Sequence, residues 1–218
     1  MSNEIKPALQ ASFLSSVKSV KRNQGKADIL LSTGDLISMP RAMLRERPYK
    51  AGMPFDAAEH KTFITARGYA FALDKAVSLL AVRARTEHEI ADTLRKCTYP
   101  EPIIARVMAR LQEAGYINDS DFAEHWAASR VSKGMGTMRI RMELRQKGVS
   151  QAEIDEAMSS MEESALLDGA IKAAQKAARG RNLSDRPEQQ KVLAALARRG
   201  FDYQTAKHAL TTLLETER

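Results

Sequence analysis

One helical phrase is written three times in this chain, closing with Arg-Lys-Cys-Thr-Tyr at 95–99, Arg-Gln-Lys-Gly-Val at 145–149 and Ala-Arg-Arg-Gly-Phe at 197–201. Superimposing the copies aligns Ile90 with Ile140 and Val192, Leu94 with Leu144 and Leu196, Tyr99 with Val149 and Phe201, and Leu111 with Met161 and Leu213. The offset of about 50 residues lies in the period range of repeat arrays, where one supersecondary unit recurs and buries its apolar face against its neighbours.

Within each copy, apolar residues four apart mark one face of a helix, and a turn leads into a second helix carrying Ile104, Ile154 or Ala206 and then Met108, Met158 or Leu210. A further helix precedes each pair, over Ala70–Val82, Asp121–Ser132 and roughly Glu163–Ala178, so each unit has three helices. Gly148 and Gly200 stand where a helix needs a left-handed C-terminal residue, with Ser150 and Asp202 following as N-caps. Thr98 breaks this pattern in the first copy, where Pro100 supplies the stop and restart. In the run Asn118-Asp119-Ser120-Asp121, Asp119 or Ser120 is expected to cap the second unit's first helix.

The front of the chain follows another rule. Val17–Val20, Ala27–Leu31 and Leu36–Met39 read as three short strands, separated by Asn23-Gln24-Gly25 and Thr33-Gly34-Asp35 turns. Pro40 is expected as the first residue of a short helix, Arg41–Arg47, which Pro48 ends. Asp56 then caps a longer helix running toward Arg67, with Gly68 as a break or kink. The expected fold is mainly α: tandem three-helix, helix-turn-helix-like repeats forming an elongated curved array, with a small N-terminal three-strand appendage. The divisions are a flexible tail 1–12, the appendage and linking helix 13–67, and repeats at 68–117, 118–161 and 162–218.

The single cysteine, Cys97, cannot form an internal disulfide, and no stretch reads as a signal peptide or a membrane span, so a reducing cytoplasm is the expected location. His60, His88, His125 and His208 are scattered without metal-ligand spacing, and neither a metal nor a cofactor is expected. No nucleophile with a nearby base and no paired catalytic carboxylates stand in motif context, so no enzyme is expected. The formal charge of +7 points to an acidic partner without choosing between nucleic acid and protein. The densest basic stretch is Arg130, Lys133, Arg139, Arg141, Arg145 and Lys147, with Glu143 the one acid among them.

The run Glu113-Ala-Gly-Tyr-Ile-Asn-Asp-Ser-Asp-Phe-Ala-Glu at 113–124, then Ser129-Arg130, Lys133-Gly134-Met135-Gly136 and Arg139-Ile140-Arg141-Met142-Glu143-Leu144-Arg145-Gln146-Lys147-Gly148-Val149, closely resembles the signature of RecX proteins, bacterial regulators of the RecA recombinase. The similarity covers about Ala70–Leu214, and the front appendage looks like an extra N-terminal segment carried by some members. The resemblance implies tandem three-helix units that bind in the groove of the RecA filament on DNA and restrain its ATP hydrolysis, strand exchange and coprotease function, with weak direct DNA binding. A monomer is expected. The rival reading is an autonomous nucleic-acid-binding module that enters a groove with a helix-turn-helix unit. Glu153, Asp155 and Glu156 on its recognition helix would oppose that entry.

On a helical wheel Ile140 and Leu144 face the core, Arg141 and Arg145 share one solvent flank, and Arg139, Glu143 and Lys147 share the other, where the carboxylate can engage both cations. Arg141 and Arg145 are therefore the leading partner contacts, with Arg139 and Lys147 as poorer ones. Arg130 and Lys133 lie in a last helical turn, where the helix dipole favours cations in any case. Gly134-Met135-Gly136 reads as a flexible link that lets Arg130, Lys133 and Arg141 converge on one phosphate or carboxylate. The third repeat adds Lys172, Lys176, Arg179, Arg181, Arg198 and Arg199 as further partner or DNA contacts. Trp126 and Phe122, one turn apart, read as core rather than as a base-stacking platform.

Overall fold

Asp56 separates a strand-forming stretch from a helical one, and the side chains on either side of it share one core. The chain, described here by a computed structural model over residues 12–19 and 25–216, divides into two compact units at Ile117/Asn118. The expected tail up to residue 11 and the Asn23-Gln24 turn residues lie outside the described residues.

In the first unit, β1 (Ser12–Ser19), β2 (Lys26–Leu31), β3 (Leu36–Pro40) and β4 (Pro54–Phe55) form an antiparallel sheet in the order β3-β2-β1-β4. The expected strands are present, β1 starting earlier at Ser12, and β4 is an addition. Alternation buries Ala27, Ile29 and Leu31 of β2, with Leu14 opposite Leu31. After Pro40 the chain makes a 3-10 helix, Arg41–Arg45, instead of the expected helix to Arg47, and Met43 plugs it into the core.

Three helices follow: α1 (Ala57–Leu80), α2 (Glu87–Lys96) and α3 (Glu101–Glu113). Asp56 caps α1 by accepting from the Ala58 and Glu59 amides at 2.7 and 3.0 Å. Gly68 does not break α1. It is buried in an uninterrupted helix, and a Cβ there would lie 2.6 Å from Ile103 Cδ1, so the glycine admits the α3 side chain. The sheet's Leu14, Ile29, Leu31 and Met39 belong to the same hydrophobic cluster as Ile90, Leu94, Ile104 and Leu111, so the sheet and the first repeat fold around one core.

The second unit holds α4 (Asp119–Ser132), α5 (Thr137–Gln146), α6 (Gln151–Ser159), α7 (Glu163–Ala178), α8 (Arg186–Arg198) and α9 (Tyr203–Thr216). The cap of α4 is Asn118, whose side-chain oxygen accepts from the Ser120 and Asp121 amides, rather than Asp119 or Ser120, which are already inside the first turn. Ser150 and Glu153 form a reciprocal capping box on α6, and Asp202 accepts from the Thr205 amide at 2.9 Å at the start of α9. The repeat alignment holds in the cores: Ile90, Ile140 and Val192, and likewise Leu94, Leu144 and Leu196, are fully buried. Thr98 does not depart from its counterparts in conformation, since its φ of 67° matches the left-handed Gly148 and Gly200 at 80° and 87°.

The Gly134-Met135-Gly136 segment is a joint, not a flexible link. The Gly136 amide donates to the Arg199 carbonyl at 2.9 Å and the Met138 amide to the Gly200 carbonyl at 3.0 Å, so the start of α5 sits on the end of α8. A Cβ on Gly136 would lie 2.2 Å from the Gly200 carbonyl carbon, and one on Gly200 would lie 2.4 Å from the Arg139 amide. Both glycines are therefore required by a backbone-to-backbone approach.

Candidate functional site

Ile140 and Leu144 turn one stripe of α5 into the core, which sends its charged residues to the two flanks. On the flank toward α4, Glu143 is the hub. Its Oε2 accepts from Arg130 Nε at 2.7 Å and from Trp126 Nε1 at 3.2 Å, and its Oε1 accepts from Arg139 Nε at 3.1 Å. Burial pushes the Glu143 carboxyl up, but the hydrogen bonds and charges of Arg139 and Arg130 outweigh it and hold the group below the usual carboxylate range.

Trp126 completes this cluster. The Arg130 guanidinium carbon lies 4.1 Å and Lys147 Nζ 4.2 Å from its ring centroid, and Phe122 stacks on it at 5.7 Å. The indole is half-buried against the second repeat's core, with its N–H committed to Glu143. Arg130, Arg139 and Lys147 are thus held by contacts within the chain.

The other flank faces α6. Arg141 pairs with Asp155, whose carboxyl is held low mainly by that hydrogen bond, while Arg145 Nε donates to Gln151 Oε1 at 3.0 Å. The two arginines are therefore not the free pair that the wheel suggests, because α6 supplies an acceptor to each. They differ in charge balance. In the first repeat the equivalent Arg95 meets Glu101 at 2.8 Å, whereas Arg145 meets a neutral amide and keeps its charge unneutralised by that contact. Nor do Arg130, Lys133 and Arg141 converge on one anion: Arg130 turns to Glu143, Arg141 to Asp155, and Lys133 is exposed at the end of α4.

In the third repeat, Lys176, Arg179 and Arg198 are exposed, and Arg181 is tied to Glu188 at 2.7 Å and to the Ala177 carbonyl. Arg199 belongs to the joint, donating to the Gly134 carbonyl at 3.2 Å. Among the described residues no His, Cys, Asp or Glu cluster is arranged for a metal ion, and no helix is long and apolar enough to cross a membrane.

Charge patterning alone missed Met138 and Met142, which are 64% and 42% exposed. They lie one turn apart on α5, with Arg145 continuing the row, so the outer face of this helix is apolar as well as basic. Such a mixture of methionine and arginine suits a protein surface better than a phosphate backbone. The sequence signal was available in two apolar residues spaced i, i+4 off the buried stripe.

Residues 72–111, 118–158 and 165–210 match, in order, the first, second and third three-helix domains of RecX. A regulatory protein RecX of Mycolicibacterium smegmatis is 36% identical over 146 residues, which span 64% of this chain and 78% of that protein. One from Bacillus pumilus is 26% identical over 200 residues, covering 91% of this chain and 76% of its own, so that similarity extends into the sheet region. A crystal structure of regulatory protein RecX superimposes with a TM-score of 0.60 at 26% identity, covering 90% of this chain and 97% of that one.

Proposed function

The chain belongs to the RecX family of regulatory proteins, and from that premise we propose that it regulates the RecA recombinase, chiefly as an inhibitor. It binds as a monomer in the groove of the RecA–DNA filament in the cytoplasm, during homologous recombination, DNA repair and the SOS response. There it restrains ATP hydrolysis, strand exchange and coprotease activity. The observation that carries this reading is the ordered set of three RecX domains, joined to an α5 face on which Met138, Met142 and Arg145 are open.

In this reading Arg145, Lys133 and Arg198 meet acidic groups of the partner while Met138 and Met142 bury against its apolar surface. Arg130 and Arg139 act at one remove, by fixing α5 against α4. Regulation requires that the protein bind one filament arrangement more tightly than another, since equal affinity for both shifts nothing. Direct DNA binding is weak, because Glu143 and Asp155 already neutralise cations of the second repeat.

The test is RecA's single-stranded-DNA-dependent ATP hydrolysis at increasing amounts of this protein, measured beside its binding to the same DNA without RecA. Inhibition well below the concentration that coats bare DNA supports the proposal. Inhibition that only tracks DNA occupancy would replace it with an autonomous DNA-binding module.

A further inference from the structure

Several cations of the first unit are neutralised within it: Arg47, Arg67, Arg83 and Arg95 each meet a glutamate. Among the described residues Arg41, Arg45 and Lys75 do not, and all three line one hollow of about 640 Å³ between the 3-10 helix and the helices. Phe71, half-buried, and Cys97 and Tyr99, buried, also line it. Asp74 also lines it, yet no ion pair within the described residues joins this carboxylate to any of the three cations.

Position here is imposed by the fold. Met43, fully buried, pins the 3-10 helix between Arg41 and Arg45, and the fully buried Ala72 and Ala76 fix the turn of α1 that carries Lys75. Like charges gathered on a concave surface repel one another with less screening than on an open one, and a bound anion would relieve the repulsion that Asp74 alone does not balance. Two guanidinium groups and an ammonium offer more donors than a lone carboxylate can accept, whereas the non-bridging oxygens of a phosphate ester can accept from several at once.

We propose that this hollow is a binding site for a phosphate ester group, carried either by a nucleic-acid strand or by a free nucleotide. The three cations grip the phosphate, and the half-buried Phe71 lies beside the sugar or base. Asp74 weakens binding and sets its upper limit. The site lies wholly within the first unit, and its test does not depend on how the protein meets RecA.

The experiment uses the full chain without RecA. Binding of a fluorescently labelled single-stranded oligothymidylate is followed by anisotropy over a range of salt concentrations, with thymidine monophosphate as competitor. The combined Arg41→Gln, Arg45→Gln and Lys75→Gln variant should bind about tenfold or more weakly, and its log affinity against log salt should be shallower by about 0.7, the slope of one lost phosphate contact on a single strand. Asp74→Asn, which removes no packing, should tighten binding about threefold by relieving the repulsion. Displacement by the mononucleotide assigns the site to a nucleotide, and failure to displace assigns it to a strand. Unchanged affinity and salt slope in the triple variant, or no tightening in Asp74→Asn should the triple variant not fold, overturns the proposal.

Discussion

Glu143 on α5 accepts from Arg130 on α4 at 2.7 Å, and this contact fixes the spacing of the two helices through a carboxylate that is only 14% exposed. Removing its charge strands a half-buried guanidinium and weakens the acceptor for the Trp126 indole. Glu143→Gln should cost about 1–2 kcal/mol of stability, measured by chemical denaturation. The single tryptophan, Trp126, reports the change directly as a shift in emission.

The same carboxylate sets a pH dependence. A group whose folded pKa is depressed contributes stability that is present above its unfolded value, here near 4.5, and is lost as pH falls through the folded one. Asp202 adds to this with the same sign, its carboxyl being held low first by the Thr205 amide. Denaturation midpoints followed by Trp126 emission should therefore be flat near neutrality and fall below about pH 4.5. In Glu143→Gln the fall should be smaller.

Arg145→Glu should raise the concentration needed to inhibit RecA's ATP hydrolysis by about tenfold with only a small drop in melting temperature, as for a desolvated interface arginine whose one contact within the chain is to an exposed amide. Arg141→Ala should have a smaller effect, because Asp155 already offsets its charge. Met138→Ser with Met142→Ser should weaken inhibition at high salt as well as low, which loss of charge alone would not do.

Thr98 holds a left-handed conformation that its β-branched side chain disfavours. Thr98→Gly should stabilise the chain by about 1 kcal/mol, even though the hydroxyl's contact with the Cys97 carbonyl is lost. The reverse change, Gly148→Thr, should destabilise by a similar amount in the same denaturation assay.

Two glycines should respond very unequally to one methyl group. At Gly68 the added Cβ meets the mobile end of Ile103 in mid-helix, so Gly68→Ala should cost under about 1 kcal/mol, the helix propensity of alanine offsetting the shift. At Gly136 it meets backbone at 2.2 Å, and Gly136→Ala should cost about 3 kcal/mol or more, read as a lowered melting temperature.

The helical cores were legible because a period of 3.6 residues writes itself locally: Ile140 and Leu144 announce their face within one turn. Turn chemistry was legible for the same reason, as at Ser150 and Gly148. What escaped depends on residues far along the chain. β4 is two residues that become a strand only by pairing with Ser12 and Phe13, and Gly136 looked like slack because its partner lies some sixty residues away. Arg141 and Arg145 were read from their own helix, while their acceptors, Asp155 and Gln151, stand on α6. Asn118 lost the capping role to Asp119 and Ser120 in the sequence because all three residue types cap well, and only the chain's actual entry angle selects one.

The Gly136–Arg199 and Met138–Gly200 hydrogen bonds also order events on the ribosome. The amides at the start of α5 are made long before the carbonyls that receive them, and N-terminal parts of a chain fold first as synthesis proceeds. The second repeat must therefore wait with its α5 end unsealed until residues 199–201 emerge. A premature stop within α8 would release a nascent chain whose second repeat bears an open, adhesive seam at the start of α5.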